Sequence, residues 1–203
     1  MKQIIILSAI AVGLTFASAC SSSPETATTN RTANTTTANT ATTNAANTTK
    51  ADDTPAAVKA VFPDAQSFTT QHKDVPADKI ASIEKDTSSK VPNKDHHSYL
   101  AFSTAGGARK QIGAATVVKA DGKDVIIVYD NKDGSPVIKE VRADGVPAPF
   151  LAQFAGKGHD DDLLLGADIK ASGANEAQAK AITEAVRVDV LTMQALYGAA
   201  HKH

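Results

Sequence analysis

The last third of the chain contains its most regular hydrophobic pattern. Apolar residues recur there at steps of three or four, as on one face of an α-helix; they are Ala179, Ile182, Val186, Val190, Met193 and Tyr197. Asn175 precedes this pattern and Gln178 follows Asn175 at the spacing of a capping box. Gly198 comes after the last apolar position, and glycine commonly ends helices. The pattern therefore predicts a long C-terminal helix that begins after Asn175.

The middle of the chain has the pattern of strands joined by tight turns. Short segments rich in apolar residues predict strands at 99–102, 112–118, 125–129 and 137–141. Asp121-Gly122 and Asp133-Gly134 separate the last three segments, and Asp-Gly between apolar runs is a strong hairpin signal. Helical spacing predicts shorter helices at 55–61, 76–90 and 150–156. Together these patterns predict an α+β fold, in which a mostly antiparallel meander sheet is flanked by helices and a long C-terminal helix.

The first 19 residues have the features of a secretion signal. Lys2 supplies a positive charge, and residues 4–16 are mostly apolar. This apolar stretch is shorter than the ~20 residues that a transmembrane helix needs. The small residues Ala17-Ser18-Ala19 then suit cleavage by a signal peptidase. We therefore predict a signal peptide over residues 1–19.

The segment Ala17-Ser18-Ala19-Cys20 resembles the lipobox of bacterial lipoproteins. The resemblance implies that the Cys20 thiol is acylated and that Cys20 becomes the new N-terminus. Lipoboxes usually have leucine where this chain has Ala17, so the alternative is an ordinary signal peptide cut after Ala19. Cys20 is the only cysteine, and a thiol without a disulfide partner favours modification. We expect an envelope lipoprotein that is anchored to a membrane through Cys20 and faces the periplasm or the exterior.

Residues 20–53 differ in composition from the rest of the chain. After Cys20 they are mainly Thr, Asn, Ala and Ser, with no large apolar side chain. Such a segment buries too little apolar surface to offset the entropy cost of ordering. A flexible segment of about 33 residues has a root-mean-square span of roughly 30 Å. We predict a disordered tether over 20–53 and a folded domain over 54–203; cell-wall binding or glycosylation of the asparagine-rich repeat is the alternative for the tether.

Charge and composition exclude several classes of function. Removal of residues 1–19 takes away Lys2 and changes the net charge from −1 to about −2, which creates no field that attracts nucleic acid. Tryptophan is absent and aromatic residues make up 4% of the chain, so few side chains are available to stack on bases. A single cysteine excludes a disulfide framework, a cysteine-rich zinc site and an iron–sulfur cluster. We therefore expect no nucleic-acid partner.

The segment Ser172-Gly173-Ala174-Asn175 is the candidate binding site. It consists of small residues that lead directly into the predicted C-terminal helix. A helix N-terminus presents free N–H groups and the positive end of the helix dipole, both of which bind phosphate. Gly173 and Ala174 would let a ligand approach the backbone closely. On these residues alone, a capped helix after a tight turn is the alternative.

Four segments of the domain resemble the FMN-binding domain family, which occurs in the flavin subunits of sodium-pumping quinone reductase and of the related Rnf complex. The segments are 61–68 with its Val-Phe-Pro-Asp-Ala start, 112–128 with its Ile-Gly-Ala-Ala start, 150–157 with the sequence Phe-Leu-Ala-Gln-Phe-Ala-Gly-Lys, and 168–186 with its Ser-Gly-Ala. The resemblance implies an FMN phosphate on the N–H groups of 173–175, with the Ser172 hydroxyl and the Asn175 amide as added donors. It also implies electron transfer to a redox partner protein.

Asn175 limits what this resemblance implies. Covalent members of the family carry FMN as a phosphate ester on a threonine that closes Ser-Gly-Ala-Thr, and Asn175 has no hydroxyl group to esterify. Three possibilities follow: non-covalent FMN at 172–175, another small ligand there, or no ligand.

The leading hypothesis is electron transfer through non-covalent FMN. The alternative is a non-redox envelope lipoprotein that uses the same scaffold to bind a partner or small ligand. No nucleophile–base arrangement is evident, so we expect a carrier or binding protein rather than a stand-alone enzyme.

Histidine and aspartate residues raise the question of a metal site. The candidates are His96-His97, the run His159-Asp160-Asp161-Asp162, and His201 with His203. Adjacent histidines point in different directions, and acidic runs are commonly solvated. Residues 130–134 resemble the start of a calcium loop, but the loop lacks the glutamate that such loops carry at their twelfth position. From the sequence we expect no metal site.

Overall fold

The computed structural model describes residues 53–199. The predicted signal peptide, the predicted lipidation of Cys20 and the tether before Asp53 therefore lie outside the described residues, as do His201 and His203. Within the described range, no helix is both long enough and apolar enough to cross a bilayer.

Five strands and four α-helices form the described part of the chain. The strands are β1 (Ser67–Asp74), β2 (Asp95–Ser103), β3 (Lys110–Ala120), β4 (Lys123–Lys132) and β5 (Ser135–Ala143). The helices are α1 (Ala56–Val61), α2 (Ala77–Thr87), α3 (Ala148–Leu151), which continues as a 3₁₀ turn over Ala152–Phe154, and α4 (Glu176–Tyr197). The predicted α+β fold, with its antiparallel meander and long C-terminal helix, is confirmed.

The sheet follows the order of the chain, because each strand pairs antiparallel with the next from β1 to β5. At the turn between β3 and β4, Asp121 and Gly122 both have positive φ values, of 51° and 73°. Asp133 and Gly134 repeat this pattern between β4 and β5, with φ values of 54° and 85°. Two consecutive positive φ values characterise the type I′ turn, whose twist matches that of the strands it joins. Both predicted hairpins are therefore present.

Strand β1 was not predicted, and α2 is shorter than predicted. Ser67–Asp74 contains one large apolar residue, Phe68, so its sequence does not alternate clearly. It is an edge strand, and its polar side chains are compatible with the water at that edge. Helix α2 ends at Thr87 instead of residue 90, because Ser88 takes a left-handed φ of 55°.

The two faces of the sheet carry separate apolar clusters. Helices α3 and α4 cover the inner face. The apolar cluster between these helices and the sheet includes Val125, Ile127, Ile138, Val141, Phe150, Phe154, Ile182 and Val186. The outer face has a smaller cluster of Val58, Phe62, Ala101, Ala115, Ile126 and Val128, which α1 covers in part. Gly113 permits this packing, because a Cβ atom there would lie 2.5 Å from the Phe62 ring. The sheet therefore has a broad buried face and a face that is open beyond α1.

Candidate functional site

The segment Ser172-Gly173-Ala174-Asn175 forms a tight turn immediately before α4. Ser172 and Gly173 have positive φ values of 47° and 93°, and the Ala174 N–H donates to the Ala171 carbonyl at 2.9 Å. The Asn175 Oδ1 atom accepts a hydrogen bond of 2.8 Å from the Gln178 N–H. Asn175 is therefore the N-cap of α4, as its position in the sequence predicted.

Gln153 connects this turn to the segment that follows α3. Its Nε2 atom donates to the Lys170 carbonyl at 2.9 Å and to the Ser172 Oγ atom at 3.0 Å. Its Oε1 atom accepts from the Lys170 N–H at 2.8 Å. The Gln153 side chain thus holds the backbone of Lys170 and the hydroxyl group of Ser172, in the segment that leads into the turn. The segments 150–157 and 172–174, which resemble the FMN-binding family separately, lie in direct contact.

The chemistry of the turn both favours and opposes an anion. The N–H groups of Glu176 and Ala177 precede the intrahelical bond from Ala179 to Asn175, so the helix itself offers them no acceptor. The helix dipole adds positive potential at the same place. Against this, the Asn175 oxygen is already engaged in the cap, and Glu176 brings a carboxylate into the first turn. An anion here would therefore depend on backbone N–H groups and on the Ser172 hydroxyl.

A second candidate site lies under α4 and was not predicted. The Asp189 carboxylate accepts hydrogen bonds from the Thr116 hydroxyl at 2.6 Å and the Tyr129 hydroxyl at 2.7 Å. His96 Nε2 lies 3.0 Å from the other carboxylate oxygen and donates to it. These three partners come from β3, β4 and β2, so one side chain of α4 is tied to three strands. Asp189 is only 4% exposed, which makes this a network within the core.

Burial sets the electrostatics of this network. Burial raises the pKa of the Tyr129 phenol well above its usual value, and the charge of Asp189 raises it further. The phenol therefore stays protonated and remains a donor. The Nδ1 atom of His96 is buried without a hydrogen-bond partner among the described residues. Most buried polar atoms have a hydrogen-bond partner, so this nitrogen is an exception that could still form one hydrogen bond.

His96 and Asp189 line a cleft, which we call the His96 cleft. It lies between α4, strands β2 and β3, and residues 89–93, and its volume is about 530 Å³. Pockets for small organic ligands commonly measure about 300–1,000 Å³. The cleft is therefore large enough for a small organic molecule.

One sequence signal could have indicated this network. Asp189 stands between Val188 and Val190 in α4, on the side of the helix that carries the apolar repeat. A carboxylate in such a stripe needs buried partners. The partners themselves gave no signal, because threonine and tyrosine are ordinary strand residues.

The structure separates the histidine candidates. His96 faces α4, whereas His97 faces the outer side and contacts Asp95 at 2.8 Å. In the loop after the 3₁₀ turn, the His159 Nε2 atom lies 3.2 Å from the Asp160 Oδ1 atom.

Comparisons of the chain with protein-family models, curated proteins and solved structures find no match. The resemblance to the FMN-binding domain family therefore rests on the four quoted segments and stays a prediction.

Proposed function

We propose that the chain is a membrane-anchored envelope lipoprotein whose domain binds FMN non-covalently and transfers electrons to a partner protein. The observation that supports this most directly is the contact through Gln153. It joins the turn at 172–174 to the segment 150–157, so that two of the resembling segments meet at the start of α4.

In this proposal the chain binds and orients the cofactor. The backbone N–H groups around Gly173 and in the first turn of α4 hold the phosphate, and the Ser172 hydroxyl donates to it. The isoalloxazine ring supplies the redox chemistry when it is bound. The lipid on Cys20 and the tether over 20–53 let the domain reach a redox partner near the membrane.

Flavin binding is tested with the full-length protein in detergent. Added FMN is expected to lose fluorescence on binding, with saturation at one FMN per chain. The absence of both fluorescence quenching and bound-flavin absorbance at micromolar protein would contradict the FMN proposal.

Gln153→Ala tests whether the turn is the binding site. Loss of the bonds that hold Lys170 and Ser172 should loosen the turn and weaken FMN binding about fivefold or more. Gln66→Ala is the matched control, because Gln66 also binds two backbone groups, the Asp64 carbonyl at 2.8 Å and the Thr104 N–H at 2.7 Å. Equal weakening in both variants would locate the flavin elsewhere or point to a general loss of stability.

The anchor is tested separately. Cys20→Ser should move the exported protein from the membrane fraction to the soluble fraction, whereas Ser21→Ala should leave it in the membrane fraction. Retention in the membrane of Cys20→Ser protein that has been cut after Ala19 would contradict lipidation at this residue.

The His96 cleft favours a second function, the binding of a small non-redox ligand. Its size suits a small organic molecule, and the His96 Nδ1 atom beside it has no hydrogen-bond partner among the described residues. A compound that raises the melting temperature of the wild type and has no effect on His96→Gln would support this function. If FMN fails to bind and such a compound is found, the second function replaces the first.

A further inference from the structure

A cluster of two histidines and one aspartate lies on the outer face of the sheet. His72 on β1 and His97 on β2 are directly opposite in the strand register, and their ring centroids are 4.1 Å apart. Asp95 precedes His97 by two residues and so shares its face. Its Oδ2 atom lies 2.8 Å from His97 Nε2 and 3.5 Å from His72 Nδ1. One donor atom from each of the three side chains lies within 4.8 Å of the others.

We propose that His72, Asp95 and His97 form a binding site for a divalent transition-metal ion such as Zn²⁺ or Cu²⁺. Imidazole suits these metals, whereas magnesium and calcium prefer all-oxygen sites. Zinc lies about 2.0–2.2 Å from nitrogen and oxygen ligands, so tetrahedral ligand atoms are about 3.3 Å apart. The separation of 3.5 Å between His72 and Asp95 already matches this value.

Binding requires an adjustment at His97. The distance of 2.8 Å between His97 and Asp95 must lengthen by about half an ångström to admit an ion. The three side chains are 41–57% exposed, so they can rotate without disturbing the core. The cluster supplies three ligands, and water or an external ligand completes the coordination.

The charges around the cluster favour a cation independently of the ligand geometry. Asp74 pairs with Asp95 at the end of the β1–β2 ladder, and strand alternation places Asp74 on the same face as His72. Like charges directly opposite each other destabilise a strand pair, and a bound cation removes this repulsion.

The site is tested on the full-length, metal-free protein, without an affinity tag and without flavin. Calorimetric titration with Zn²⁺ should show one ion bound per chain. His97→Gln and Asp95→Asn should each weaken binding more than about tenfold. Cu²⁺ should give an electron paramagnetic resonance signal with two coordinating nitrogens, and His72→Gln should reduce these to one.

Matched histidine variants control for binding elsewhere. His159→Gln and the double variant His201→Gln/His203→Gln should leave the zinc affinity unchanged. Loss of binding in either control with retention in His72→Gln would overturn the proposal. It would also be overturned if neither Zn²⁺ nor Cu²⁺ binds, or if the Asp95 and His97 variants bind as the wild type does. Because flavin is absent from these measurements, failure of the FMN proposal would leave their outcome unaffected.

Discussion

His96 and His97 are neighbours in β2, yet they occupy opposite environments. His96 is beneath α4, with 10% of its side chain exposed, and donates to the buried Asp189. His97 faces water on the other side of the sheet, with 42% of its side chain exposed, and shares Asp95 with His72. One strand thus carries a structural network on one face and an adaptable cluster on the other. Helix α4 makes the difference, because it covers the inner face.

The largest expected effect comes from removing the acceptor of the inner network. Asp189→Ala leaves the donors of His96, Thr116 and Tyr129 buried without their shared acceptor. We expect a loss of about 3–5 kcal/mol in the free energy of unfolding, measured by urea denaturation. Glu184→Ala, an exposed change on the same helix, should cost less than about 0.5 kcal/mol. A loss of stability in Asp189→Ala as small as that in Glu184→Ala would show that the network contributes little to the free energy of unfolding.

The two histidines themselves give the next largest difference. His96→Gln should lower the free energy of unfolding by about 1–3 kcal/mol, because it disturbs a buried hydrogen bond to a carboxylate. His97→Gln in metal-free buffer should change it by less than about 0.5 kcal/mol, since its pair is exposed. Denaturation curves of both variants test this prediction. A larger loss in His97→Gln than in His96→Gln would contradict a structural role for the inner face alone.

Tyr129 should make the stability of the inner face depend on pH. The pKa of Tyr129 is raised in the folded protein. The contribution of its phenol to the free energy of unfolding is therefore fully present below pH ~10, the ordinary tyrosine pKa, and is lost as pH rises towards the folded pKa. The wild type should therefore lose stability above pH ~10 more steeply than Tyr129→Phe does. Tyr99→Phe, which changes a half-buried ring on the outer face, should alter this slope less. Parallel slopes for the wild type and Tyr129→Phe would contradict the prediction.

The smallest effect is expected at Asp95. The pKa of Asp95 is lowered by the hydrogen bond from His97. This hydrogen bond therefore stabilises the folded protein above the ordinary aspartate pKa, and the stabilisation is lost as pH falls through the pKa of Asp95 in the folded protein. In a carbon-detected NMR titration of metal-free protein, the Asp95 carboxyl should titrate below the ordinary aspartate value. His97→Gln should move this titration upwards, and His96→Gln should not. If the Asp95 titration is unchanged in His97→Gln, the His97 side chain does not influence the Asp95 carboxyl.

Local features of the sequence predicted much of the fold. The apolar repeat and Asn175 located α4, and Asp-Gly pairs located both hairpins, because helix faces, caps and tight turns depend on a few adjacent residues. Strand β1 escaped prediction because its sequence carries little apolar alternation and its pairing with β2 defines it. The turn at 172–175 was predicted as a candidate site, but its link to Gln153 was not, since the two lie in separate segments.

The class of fold, the start of α4 and the single cysteine can therefore be read from the amino-acid sequence. Which polar side chains meet depends on the tertiary structure. His72 reaches His97 because antiparallel pairing sets the register of β1 and β2, and Asp189 reaches three strands because α4 packs across them. Such encounters depend on long-range packing and register, and no spacing along the chain encodes them in a form that can be read locally.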